Sequence, residues 1–344
     1  MERGRARRPS YRRQVSVSRR AAVSGPAAVA LAALVRWTNL VALAGVVGGL
    51  VAELLLLPRD GNGLAAVQQR LRRLTFASLT LLVVASGADL IERARTMAEG
   101  GIGAAVAALP LVLGRTHFGV MWRLRASTIA IVALLCWTRA RSAGLVALAT
   151  MLAAVFTLAA SGHAADWGDA TATTIVDWVH ASAAFAWGGG LGALWWCVFR
   201  APPSLSSAAL VTITRRFSRL ALACAAAIVL SGSFNAYVEV AELPALWSSA
   251  YGRVLALKVV LVLGALALGA MNRYRLLPAL SESAERVIDE RPPDRAPARL
   301  LMSRYIAGEV ILVVVVFGCT ALLGQLPPPR RGDAFHDASH THVE

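Results

Sequence analysis

Residues 175–199 read IVDWVHASAAFAWGGGLGALWWCVF. The run is apolar and ends at Arg200, ahead of the Pro202-Pro203 pair. A helix needs about 20 mostly apolar residues to cross a bilayer, so this stretch predicts a membrane span. It also carries two ionisable groups, and such groups inside a span are costly and mark function by default. Asp177, His180, Ala184 and Trp187 follow at spacings of three, four and three, which places them on one stripe of the helix. Gly188, Gly189, Gly190 and Gly192 come next, small enough to let another helix approach closely.

Seven further apolar runs flank this one: Trp37 to Leu57, Leu74 to Leu90, Phe118 to Trp137, Ala143 to Ala160, Phe217 to Val238, Val254 to Met271 and Ile306 to Leu326. The predicted fold is an all-α, polytopic transmembrane helix bundle of about eight spans. Composition agrees. Hydrophobic residues make up 57%, charged residues 16%, and mean hydropathy is +0.58. An ordinary soluble domain is about 25% charged, and a disordered chain needs the opposite balance. Two apolar stretches are too short to span alone. Ala21 to Val35 reads as an extension of the first helix, and Gly101 to Gly114, with Pro110 inside it, as a re-entrant or interfacial segment.

The net charge of +15 comes almost entirely from arginine, with Lys258 the single lysine. Most of these arginines sit in short loops or in the first 20 residues, the pattern of topology-setting charge and not of a nucleic-acid-binding face. The loops 200–219 and 272–305 are basic, while 162–174 and 240–250 have no Lys or Arg. The positive-inside rule then puts the first pair in the cytoplasm and the second pair, with the C-terminal tail, outside. Counting back through eight helices leaves the arginine-rich N-terminal tail outside. A ninth span at 101–114 would bring it inside but expel the basic loop 58–73.

The ionisable residues within spans are Glu53, Asp89, His163, Asp177, His180, Glu239, Lys258 and Glu309. His163 and His180 flank a short, acidic outer loop, so two antiparallel helices would bring them to one depth. Neutral imidazole is a common metal ligand, and a nearby carboxylate can orient its ring. The spacing supports equally a two-His metal site, with Asp177 and Trp187 around it, and two interfacial histidines that merely hydrogen-bond. Asp89 and Glu239 are weaker metal candidates, as are His336, His340 and His342 of the tail. Lys258 is expected to pair with Glu239 or Asp89. The lone cysteines and scattered methionines read as packing, and no nucleotide motif or HExxH is present. No enzyme activity is expected.

Several short motifs occur in order: Gly162-His163-Ala164, Asp177-Trp178-Val179-His180, Trp187-Gly188-Gly189, Arg216-Phe217-Ser218-Arg219-Leu220-Ala221 and Ser231-Gly232 with Asn235. Tyr251-Gly252-Arg253 with Lys258, Asn272-Arg273 with Leu277-Pro278, Glu309 and the proline-rich end at Pro327 follow. Together they resemble the copper-resistance D (CopD) family of membrane proteins. The chain then divides into a basic N-terminal tail at 1–26, a CopD-like transmembrane domain at 27–329 with its signature half at 143–329, and a histidine-containing tail at 330–344 that, like His117, has no counterpart in the resemblance. The resemblance implies a multi-pass protein of the bacterial plasma (inner) membrane that imports copper or confers copper tolerance. It also implies a separate CopC-like periplasmic copper-binding partner, beside the lipid bilayer itself, and no nucleic acid. Copper, as Cu(I) or Cu(II), would dock at His163 and His180. The alternative is haem, with the same histidines as axial ligands of a membrane redox or cytochrome-assembly protein.

Overall fold

The computed structural model describes residues 25–59, 63–98, 101–138, 140–161, 171–200, 205–240, 242–285 and 295–329. Among them every regular element is helical. In chain order these are α1 (Pro26–Val51), α2 (Leu64–Ala98), α3 (Ile102–Arg115), α4 (His117–Trp137), α5 (Arg141–Ala159) and α6 (Ala172–Ala193). Then come α7 (Ser207–Glu239), the single turn α8 (Ala245–Ser248), α9 (Ala250–Met271), α10 (Leu277–Glu285) and α11 (Arg295–Leu323). Three helices widen into π turns at one end: α1 at Ala52–Leu56, α6 at Leu194–Phe199 and α9 at Asn272–Leu276.

Eight helices are long and apolar enough to cross a membrane: α1, α2, α4, α5, α6, α7, α9 and α11. The predicted all-α bundle of eight spans is what the chain forms. Large apolar side chains such as Val84, Leu134, Leu230 and Val260 are exposed on its outside, where lipid takes the place of a protein partner. The first helix begins at Pro26, so part of the short apolar stretch 21–35 does extend it. The helix α3 packs on Leu90 and Ala94 of α2 through Ala105 and Val112 and turns directly into α4. It stays at the end where α2 arrives and α4 departs and does not cross the bundle. A ninth span is therefore absent from the described residues.

Sequence explains how the helices start. Thr116, Ser206 and Ser249 each accept a hydrogen bond from the backbone N–H three residues on, capping α4, α7 and α9. Sequence also explains how α1 comes to lie at the centre, packed on α2, α5, α6 and α11. Gly48 and Gly189 cross backbone to backbone, and Gly45 and Gly49 receive Ser78 and Thr75 of α2. Small residues replace the missing hydrophobic drive between helices in lipid by allowing this approach.

The arginines of the basic loops have a structural use as well. Arg216 donates to the Leu57 carbonyl at 2.8 Å, Arg141 to Leu54 at 2.7 Å and Arg299 to Val198 at 3.4 Å. These carbonyls close α1 and α6, where helices leave acceptors unpaired and where cations are favoured. All lie at the end of the bundle that carries the π turns, called the arginine end below. The opposite end, where α6 and α9 begin and α5, α7 and α11 finish, is the histidine end.

Candidate metal centre

A cavity of about 440 Å³ opens at the histidine end among α1, α5, α6, α7, α9 and α11. Its charged and polar lining includes Arg36, Asp177, His180, Glu239 and Lys258, and Trp187 forms part of its wall. The stripe read from α6 therefore does face one interior space, joined by Glu239 from the end of α7. His163, His336, His340 and His342 lie outside the described residues. Asp89 is not part of the lining. It stands 4.0 Å from the guanidinium of Arg125, which also donates to Thr157 and Ser161. Among the described residues, no three His, Cys, Asp or Glu side chains cluster closely enough to hold a metal ion.

The imidazole of His180 has a defined setting. Its Nδ1 lies 3.0 Å from Oγ of Ser231 on α7. That hydroxyl donates its only proton to the Ala227 carbonyl, one turn back. It must then accept from the ring, so Nδ1 carries the proton and Nε2 holds the lone pair. Gly232 makes this seat possible, since a methyl there would come within 3.1 Å of the ring carbon Cε1. The group that fixes the ring is thus Ser231.

Asp177 has a different partner. Its carboxylate accepts from Nδ2 of Asn235 at 3.1 Å, one helical turn beyond Ser231 on the same face of α7. Two pairs, Asp177 with Asn235 and His180 with Ser231, therefore tie α6 to α7 in register. Asp177 also shares the cavity with the Lys258 ammonium. Of the two partners expected for Lys258, Glu239 lines the same cavity and Asp89 does not. Lys258 and Asp177 approach the same space from facing helices, whereas Asp89 is drawn to Arg125. Trp178, next to Asp177 in sequence, points the other way, donating to the Leu152 carbonyl at 2.8 Å and stacking edge-on with Phe156. It holds α6 to α5.

Reading the sequence did not single out Ser231, Arg36 or Arg125 as working groups. Ser231 stands in one of the family motifs, with Gly232 and Asn235, but nothing in the sequence joins it to His180. Arg36 precedes the run taken to begin at Trp37, yet α1 starts ten residues earlier and carries it into the cavity wall, where its Nε is buried without a hydrogen-bond partner. Arg125 reads as a flank of its span but is only 2% exposed.

The comparisons with known proteins agree with this architecture. The family model for the copper resistance protein D-like N-terminal domain matches residues 26–172, and that for copper resistance protein D matches residues 211–323. A copper transport protein, CutJ, of Bacillus subtilis (strain 168) is 28% identical over 217 residues. That match spans 59% of this chain and 39% of CutJ, so the chain covers well under two thirds of that relative. No solved structure matches. The two family models follow one another along the chain as the expected motifs do, and the chain belongs to the copper resistance protein D family.

Proposed function

We propose that this protein imports copper across the bacterial plasma membrane, receiving it from the extracytoplasmic side in the cavity beside His180. The observation that carries the reading is the imidazole of His180 in the cavity lining, its Nδ1 held by Ser231 so that Nε2 keeps a lone pair. Imidazole suits copper in either oxidation state, and Asp177 and Glu239 add negative charge to the approach. The family to which the chain belongs and its similarity to the copper transport protein CutJ support copper as the cargo. His163 is proposed as the second ligand, on the ground of its place in sequence between α5 and α6. The basic loops are assigned to the cytoplasm, which puts the histidine end and the C-terminus outside. A separate CopC-like protein is proposed to deliver the metal there. The protein acts as a carrier and not as an enzyme.

Cellular copper measured by mass spectrometry, at fixed external copper, tests this. Cells making the protein should accumulate copper above cells without it, and His180→Ala should remove most of the excess. Equal copper content with and without the protein would refute import. A purified protein with a Soret band would refute copper in favour of haem.

A further inference from the structure

A second cavity, of about 220 Å³, lies at the arginine end among α6, α7, α9 and α11. It shares two wall residues with the first, Trp187 of α6 and Leu266 of α9. Trp187 and Leu266 therefore stand on the wall of both cavities. The helices α7 and α9 make few direct contacts with each other, and both cavities occupy the gap between them.

The second cavity contains Glu309, only 2% exposed. The amide of Asn272 donates to its Oε1. No lysine or arginine forms an ion pair with it among the described residues, since the nearby Arg273 is engaged by the carbonyl and hydroxyl of Ser218 at 3.0 and 2.7 Å. A buried carboxylate without a counter-charge is costly. Two further acceptors belong to this pair of side chains. Among the described residues Oδ1 of Asn272 has no hydrogen-bond partner, and Asn272 is only 8% exposed. Oε2 of Glu309 looks toward Gly269, where a methyl would stand 3.5 Å away, so the glycine keeps the room beside that oxygen open. Asn272 also opens the π turn of α9, the kind of local widening that recurs at functional sites.

We propose that Glu309 and Asn272 form a second cation station on the copper route, separated from the His180 cavity by a gate made of Trp187 and Leu266. The inference rests on the proposed carriage of copper and adds the inner half of the path. A cation in this cavity supplies the charge that Glu309 lacks. Glu309 and Asn272 offer oxygen donors, which hold copper less firmly than imidazole does, so the station favours release toward the arginine end.

Copper uptake into proteoliposomes, together with copper bound per purified protein, tests the proposal. Glu309→Gln should slow uptake roughly tenfold, the effect of losing one favourable contact in the barrier, while copper binding at the His180 cavity is retained. Glu309→Asp, which keeps the carboxylate, should restore part of the rate, and Gly269→Leu, which fills the space beside Oε2, should slow it again. Uptake by Glu309→Gln at the wild-type rate would overturn the station and leave the functional reading intact. Wild-type protein that moves no copper would overturn the functional reading, and the inference with it.

Discussion

At the scale of single residues, the setting of His180 depends on a hydrogen-bond direction. Ser231 has one proton to give and gives it to Ala227, so the histidine must be the donor between them. Removing the hydroxyl frees the ring to rotate or to change tautomer, with no change in the ligand itself. Ser231→Ala should therefore weaken copper binding about 10- to 100-fold, the range seen when the partner that orients a ligand is lost. Ser231→Thr, which keeps the hydroxyl, should remain close to wild type. Competition titration against a copper chelator measures both. Affinity unchanged in Ser231→Ala would mean that the ring needs no such holder. Sequence could show that His180 and Asp177 share a helix face, because that follows from spacing. It could not show which residues answer them, because Ser231 and Asn235, though they share a motif, lie more than 50 positions away on α7.

At the scale of elements, each apolar run found its helix, and the differences lie at the ends. The helix α2 begins at Leu64 and α7 at Ser207, both well before their apolar runs at Leu74 and Phe217. Hydropathy reports the lipid-facing length of a helix, whereas backbone hydrogen bonding continues through polar turns that leave the bilayer. Glycine patterning was more informative about packing. Gly189 touches the backbone of α1 at Ala44 and Gly48, while Gly192, one turn on, meets nothing within 4 Å. The two positions therefore make a matched test. Gly189→Ala should separate α1 from α6 and cost about 1–3 kcal/mol or more, as overpacked contacts do. Gly192→Ala should cost nothing and gain helix propensity. Thermal unfolding in detergent compares the two, and an equal, small effect at both would show that α1 and α6 do not meet at Gly189.

Across the whole molecule, the path of the chain fixes relative sidedness, and charge then chooses the absolute one. Eight crossings bring Pro26 and Leu323 to the same end as Asp177 and His180. The short α3 changes nothing in this count, because it begins and finishes at the histidine end. The conflict seen in the sequence, between a basic N-terminal tail and the basic loops, therefore remains one of charge alone. The loops outweigh the tail here for a structural reason: Arg141, Arg216 and Arg299 are engaged by helix-end carbonyls at the arginine end and are part of the fold on that side. The arginine end should accordingly be cytoplasmic. In a protein with Cys136, Cys197, Cys224 and Cys319 replaced, Leu243→Cys, at a site 77% exposed beyond α7, should react with a membrane-impermeant thiol reagent in intact cells. Glu282→Cys, exposed on α10, should react only after the cells are opened. The reverse pattern would invert the molecule, put the His180 cavity in the cytoplasm and make the proposed direction of copper movement export.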